Sequence, residues 1–404
     1  MRLPIVDADG HVVEPFELWR EQMPERFRDR VWRREVDADG RERLFHDGVE
    51  LDVEWTTGTL STPGGVRDTG SLDIDFDTEV DPAVNDPTRR LELMDTQGIA
   101  VSVLFPSMML GISDVRDPEM QTAYAVVYNE WIADFCATDP ARLKWGALVP
   151  TASVEDCVAV AERALEKGAA AVMVPPIFDH DQTPLSSERL APLHGLVEES
   201  RVPLVSHAIN LANGGLNISR HLTGRVQWQM GYSIQSQLAT LHVLDSDLLD
   251  RYPNLRIGFF EGDLGWVEHW FERLDETFRK MALVARPRDK SVVEDFRRQC
   301  AMSADMNDPL LAEAVAYLGA EHVLFASDWP HHDGSFPDPI AAVRDHPRLT
   351  DAQKREILVH APARFFDIDI DGVVAGLGEG WSLDAPLASI PGLLPEDATM
   401  RSPN

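Results

Sequence analysis

The feature that most limits how this chain can fold is a unit that recurs along it. A short apolar run is followed by a polar turn, and then by apolar residues at helical spacing. The runs fall at residues 3–8, 100–105, 144–149, 170–174, 203–208, 255–261, 300–304 and 322–327. Strand and helix patterns in alternation imply parallel strands, because each return crossing needs a connection of helix length. The helical patterns carry their own start and stop signals. DPTRRLELMDTQG opens with Asp86 as N-cap and Pro87 at the first helical position, and it closes at Gly98. VEDCVAVAERALEKG closes at Gly168 and DPLLAEAVAYLG at Gly319. Eight strands with intervening helices over roughly 250–300 residues predict an α/β fold, a (β/α)8 barrel of the TIM type.

Two regions break the alternation. Residues 30–84 hold hairpin-like segments, VWRREV and RERLFHDGVELDVEW, and the Gly/Thr/Ser-rich stretch TTGTLSTPGGVRDTG. They are read as a β-rich insertion after the first strand, ending in a loop whose glycines permit a lid. The barrel unit is assigned to residues 1–367 and a C-terminal tail to 368–404. The tail wraps the barrel or a neighbouring subunit, or is partly disordered. The five-residue spelling VDADG occurs at residues 6–10 and again at 36–40. The second copy, followed by Arg41, reads as a turn.

Composition narrows the function classes. The net charge is −31, from 68 acidic and 37 basic residues. Nucleic acid and anionic membrane surfaces, which demand a basic footprint, are excluded as partners. No apolar run approaches the ~20 residues of a membrane span. The N-terminus reaches acidic residues at once, without the features of a signal peptide. The three cysteines form no CxxC, which fits buried thiols in a reducing cytoplasm. The expectation is a cytoplasmic protein that acts on a small molecule.

The C-terminal ends of barrel strands carry the active site, and here acids and imidazoles collect there. The first strand ends with Asp7, Asp9 and His11, and the fifth with Ser206 and His207. The sixth ends with Glu261, then Asp263, and the seventh with Ser303 and Asp305. The eighth ends with Ser327 and Asp328, followed by His331 and His332. Asp9 and His11 are two apart in an extended segment, so their side chains leave one face. A carboxylate and an imidazole there make half of a metal site, and Zn2+ or Mn2+ accepts such an O/N set. His207 adds a second imidazole and Asp328 a second carboxylate. Singly, each has an ordinary reading as a cap, a turn residue or a core histidine. Jointly they make a site with a coordination position open for water or substrate.

The segments VDADGHVVEP, PLVSHA, PNLRIGFFEGDLGWVEHWFERLDE and HVLFASDWPHHDGSFP resemble the amidohydrolase superfamily. More narrowly they resemble its amidohydrolase-related branch, which includes aminocarboxymuconate-semialdehyde decarboxylase and the resorcylate and carboxyvanillate decarboxylases. The resemblance implies a distorted (β/α)8 barrel. It implies metal ligands at Asp9, in place of the usual first histidine, and at His11, His207 and Asp328. No lysine stands at the fourth strand, where dinuclear relatives carry a bridging one, so a single divalent ion, Zn2+ or Mn2+, is expected. The sixth-strand position is usually histidine and here is Glu261. That residue either takes over acid–base work or orients a neighbour.

Substrate contacts are expected from Arg225 and Trp228, in a segment that reaches over the barrel mouth in this branch, and from Trp329 and His331. An arginine there forks a substrate carboxylate and a tryptophan packs a ring. Equally, Trp228 is a core residue and Arg225 a surface pair. The function expected first is hydrolysis of a small, carboxylated or aromatic molecule by metal-activated water, with Asp328, Glu261 and His207 as the catalytic groups. The alternative is non-oxidative decarboxylation of an aromatic or unsaturated acid on the same ligands. A third reading is a barrel without metal that only binds. Family habit implies a homodimer.

Overall fold

The computed structural model describes residues 1–51, 55–64, 73–178, 183–208, 224–281, 290–303, 306–332, 334 and 337–392, with the side chains of 224–229 left aside. Eight parallel strands stand in chain order. They are β1 (Ile5–Val12), β2 (Ile99–Pro106), β3 (Leu143–Leu148), β4 (Ala171–Val174), β5 (Leu204–His207), β6 (Ile257–Phe260), β7 (Cys300–Ser303) and β8 (Val323–Leu324). Continuous ladders join each to the next from β1 round to β8. The seam between β8 and β1 closes differently. Past Leu324 the chain leaves β7 and bonds β1. Ala8 N donates to Phe325 O at 2.8 Å, Asp328 N to Asp9 O at 2.9 Å, and His11 N to Trp329 O at 2.7 Å. The barrel is thus complete, with its last strand continuing as irregular backbone that carries Ser327 and Asp328.

Strands of a barrel are covered on both faces, which is why they are written as uninterrupted apolar runs. In β6 the run IGFF is buried throughout. Outer helices supply the second cover. The helix Pro87–Gln97 begins where Asp86 accepts the backbone N–H of Thr88 and Arg89, and it stops at Gly98, whose φ of 80° is left-handed. The helix Val154–Glu166 is capped by Ser153. Inside the barrel the Phe105 ring lies where a β-carbon on residue 146 would intrude at 2.3 Å, so Gly146 makes room for it. Burying a ring of that size contributes up to about 3 kcal/mol.

The insertion after β1 holds a three-stranded antiparallel sheet, Arg33–Val36, Glu42–His46 and Val49–Glu50. The second VDADG is the turn between its first two strands. Asp37 Oδ1 accepts the backbone N–H of Asp39 and of Arg41, both at 2.9 Å, and Gly40 takes a φ of 81°. Farther on, Gly64 N donates to His332 O at 2.9 Å, which joins the insertion to the loop after β8. Beyond the barrel, the chain from 368 to 392 packs under the start of β1. Arg2 N donates to Gly380 O and Ser382 N to Arg2 O. Among the described residues no helix is long and apolar enough to cross a membrane.

Candidate metal centre

β1 turns two of its polar residues inward by means of a bulge. Asp7 pairs with Ser102 and Gly10 with Leu104, so three steps along β1 face two along β2. Asp9 and His11 therefore face the interior, while Asp7 and Gly10 share the other face. Gly10 is required there. A β-carbon would lie 2.7 Å from Asp7 Oδ2 and Ser102 Oγ and 2.8 Å from Arg90 Nη2.

The inward pair meets His207 from the end of β5. Asp9 Oδ1 lies 3.5 Å from His11 Nε2 and 3.3 Å from His207 Nε2, while Ser303 Oγ donates to Asp9 Oδ2 at 3.0 Å. His11 Nδ1 stands 2.9 Å from Pro106 O and His207 Nδ1 2.8 Å from Ala208 O. A carbonyl only accepts, so both Nδ1 atoms carry the hydrogen, and both Nε2 atoms face Asp9. His11 Nε2 is buried with no hydrogen-bond partner.

Burial pushes His11 down to about 4, with His331 adding to the effect, so the ring is neutral. Burial alone would raise Asp9, but the charge of His207, with the neighbouring His11 imidazole adding to it, outweighs it and holds the carboxylate below its ordinary range. Burial also opposes a charge on His207, yet Asp9 outweighs it and raises this imidazole. Two imidazole Nε2 atoms and one carboxylate thus converge on a point where a proton on His207, or a cation in its place, balances the charge. The donor set, one oxygen and two imidazole nitrogens with Asp328 beside them, suits a borderline divalent ion.

The second half of the cluster comes from β6 and the chain after β8. Asp328 Oδ1 lies 3.4 Å from His11 Nε2 and accepts from His331 Nδ1 at 2.7 Å. His331 rests on His11 with ring centroids 4.0 Å apart. Glu261 reaches between two rings, Oε1 at 3.6 Å from His331 Nδ1 and Oε2 at 3.6 Å from His207 Nδ1. Burial disfavours charge on His331, but Asp328 and Glu261 overcome it and hold the imidazole well above its ordinary range. Burial likewise disfavours charge on Glu261, and the His331 and His207 rings outweigh it, so the carboxyl is held low. Both Glu261 and Asp328 take left-handed backbone, with φ of 58° and 52°. For a residue with a β-carbon that conformation costs roughly 1–2 kcal/mol, and such strain gathers at functional sites.

The structure therefore brings Asp9, His11, His207, Glu261, Asp328 and His331 into one cluster. Trp329, expected as a substrate contact, lies elsewhere. Its ring is buried against Val13, Ala83, Val84 and Leu93, with the Arg90 guanidinium 4.3 Å from its centre. His331 is buried as well, and its ring nitrogens are taken up by Asp328 and by Ser107. Arg225 and Trp228 fall in the first turns of the helix Gly224–Leu244, but their side chains lie outside the described residues. So do Asp305 and the Gly65–Gly70 part of the expected lid. The hydroxyl of Ser303, at the strand end where the sequence places it, joins the cluster through Asp9, and that of Ser107 joins it through His331 without any spacing signal to mark it.

Behind β1 lies a support layer. Asp7 accepts from Ser102 Oγ at 2.8 Å and from Ser327 N and Oγ, both at 2.9 Å. Arg90 Nη1 donates to His11 O at 2.8 Å. This layer fixes the backbone of β1 to that of the β8 continuation, and with it the spacing of His11 and Asp328.

A (β/α)8 barrel that gathers imidazoles and carboxylates at its strand C-termini is the layout of a metal-assisted barrel enzyme. A family model described as amidohydrolase matches residues 6–368, and the chain belongs to that family. It is an enzyme of hydrolase or carboxy-lyase type. The γ-resorcylate decarboxylase of Rhizobium radiobacter is 25% identical over 254 residues, covering 60% of this chain and 76% of that protein. Among solved structures, an amidohydrolase from Mycobacterium avium subsp. paratuberculosis K-10 superposes with a TM-score of 0.76 at 18% identity, covering 92% of this chain and all of the other. A dihydroxybenzoic acid decarboxylase from Polaromonas sp. JS666, with bound manganese and the inhibitor 2-nitroresorcinol, superposes with a TM-score of 0.63 at 17% identity, covering 91% of this chain and 98% of the other.

Proposed function

We propose that this chain is a non-oxidative decarboxylase of a small aromatic carboxylic acid, with one divalent ion, Mn2+ or Zn2+, held by Asp9, His11, His207 and Asp328. The observation that carries the metal is the buried, unpartnered His11 Nε2 beside the Asp9 and Asp328 carboxylates. It also counts against a barrel that has lost its metal. From sequence alone hydrolysis stood first. The proposal reverses that order, since two of the three proteins named above are decarboxylases of γ-resorcylate and of dihydroxybenzoic acid, and the second holds manganese.

When bound, the ion supplies a Lewis acid that fixes the acid's carboxylate and draws electron density from it. The protein supplies the rest. Phe105, 5.6 Å from His207 and 6.3 Å from His11 between ring centroids, floors the site with an apolar face. Asp328, sharing a proton with His331, holds that proton at the cluster. The ring carbon bearing the carboxylate takes it up, the bond from that carbon to the carboxylate breaks, and CO2 leaves as its electron pair returns to the ring. Glu261 keeps His331 charged between turnovers. Asp9, His11, His207 and His331 are buried while Asp328 and Glu261 are partly exposed, so these two carboxyls give the substrate, and the solvent proton that replaces the one consumed, their approach to the cluster.

The test is turnover of 2,6-dihydroxybenzoate and other hydroxylated or methoxylated benzoates by Mn2+-loaded protein, against a panel of esters, amides and lactones. Release of CO2, with one deuterium from D2O at the vacated carbon, is expected. Cleavage of an ester, amide or lactone with no CO2 from any benzoate would sink the proposal.

A further inference from the structure

We propose that His331 positions Asp328 and does not contact substrate, and that Ser107 and Glu14 hold it in place. The inference rests on the reading of Asp328 as part of the metal centre. Asp328 has left-handed backbone, so no strand geometry dictates where its side chain points. A turn follows, with His331 N donating to Asp328 O at 2.8 Å, and the His331 ring folds back to donate from Nδ1 to Asp328 Oδ1 at 2.7 Å. With Nδ1–H committed, the ring is steadied from its far side, where Nε2 lies 2.9 Å from Ser107 Oγ.

Ser107 is itself anchored. It follows Pro106 at the end of β2, and its backbone N–H donates to Glu14 Oε2 at 3.2 Å. The same carboxylate accepts from Met108 N and Met109 N, both at 3.0 Å. Glu14 is 1% exposed, and three amide donors are a full complement for a buried carboxylate that no other described feature of the site uses. The chain of contacts runs from just beyond β1, across the end of β2, to the loop after β8. It therefore spans the closing seam, where the ladder gives way to separate bonds. His331 is 5% exposed and the Asp328 side chain 16%, so a substrate reaching the cluster would meet Asp328 before this ring.

Substituted amides separate the two ring nitrogens, because Asn places its nitrogen near Nδ1 and Gln near Nε2. Wild-type protein and the variants His331→Asn, His331→Gln and Ser107→Ala are titrated with Mn2+ alone, the free ion being read by electron paramagnetic resonance. Circular dichroism melts check that each is folded. Loss of an orienting partner should weaken Mn2+ binding about 10- to 100-fold in His331→Gln and about tenfold in Ser107→Ala, while His331→Asn stays within about threefold of wild type.

A substrate contact predicts the opposite split, with Mn2+ affinity unchanged and KM raised. The proposal is overturned if His331→Gln binds Mn2+ as wild type does, or if His331→Asn falls as far as His331→Gln. Wild-type protein that takes up no Mn2+ would overturn the metal reading instead. The contact chain is then judged from the His331 Nδ1–H resonance in metal-free protein labelled with 15N-histidine. A proton protected from exchange in wild type and lost in Ser107→Ala supports it, and an unprotected proton in wild type refutes it.

Discussion

Asp9 and His207 meet across the barrel interior, Oδ1 to Nε2 at 3.3 Å, while the other nitrogen of that ring is already committed to Ala208 O. At that distance a proton on Nε2, or a cation in its place, answers the carboxylate. His207→Ala should therefore lose metal by more than the roughly 100-fold that outer partners of a ligand are worth. Metal content after dialysis against a dilute Mn2+ buffer checks this. A variant that keeps near-stoichiometric metal would remove His207 from the ligand set. Adding the ion at about 100 times its dissociation constant should stabilise wild type by ~2.7 kcal/mol and leave the variant unmoved.

Arg90 and Asp7 face one another behind Gly10, and each loses solvation there. Burial pushes Arg90 down to about 10, against the opposing charge of Asp7, so it stays charged at neutral pH. Arg90→Met removes the donor to His11 O, the countercharge of Asp7 and the cation over Trp329. Breaking one side of a buried charge arrangement typically costs about 3–5 kcal/mol. Urea unfolding should show a loss of that order, with part of it recovered in the Asp7→Asn, Arg90→Met double variant. A single variant within about 1 kcal/mol of wild type would mean that the layer is dispensable.

Much of this was legible in the sequence for a definite reason. β6 writes IGFF because both faces are covered, and the helix Pro87–Gln97 is bracketed by Asp86, Pro87 and Gly98, whose effects are local. The inward pair Asp9 and His11 follows from a spacing of two. That same spacing does not tell Asp7 apart from them, and it is the bulge between Asp7 and Gly10 in the pairing with β2 that turns Asp7 to the other face. Trp329 reads as a rim residue until Ala83 and Val84 of the insertion are seen to cover it. The place of His331 depends on a serine hydroxyl 224 residues away. Local rules write the elements, and contacts across the seam decide which polar side chains enter the site.

His194 links stability to pH. Its ring lies in the helix Ala191–Ser200, fully buried and 5.4 Å from the Tyr252 ring, and burial pushes it from 6.5 down to about 4. The unfolded chain binds the proton first as pH falls. The stabilising contribution is complete above about 6.5 and is lost progressively toward pH 4, at most about 3 kcal/mol in all. His194→Phe, which keeps a ring against Tyr252, should flatten this part of the stability–pH curve. Equal slopes for the two proteins between pH 6.5 and 4 would discount the assignment.

Glu261 offers a separation of backbone from side chain. Its φ of 58° is a conformation that glycine adopts freely and alanine does not. Both Glu261→Gly and Glu261→Ala delete the carboxylate between the His207 and His331 rings, so both should lose activity, and both should lower the charge on His331. Only the alanine variant keeps the left-handed penalty. The glycine variant should therefore be the more stable of the two by about 1 kcal/mol, even after the greater freedom of glycine in the unfolded chain is allowed for. Thermal melts of the metal-free proteins, side by side, measure the difference. If alanine proves equal or better, position 261 relaxes out of the left-handed region once its carboxylate is gone. The strain would then be imposed by the contacts of Glu261 with the two imidazoles, not by the turn that follows β6.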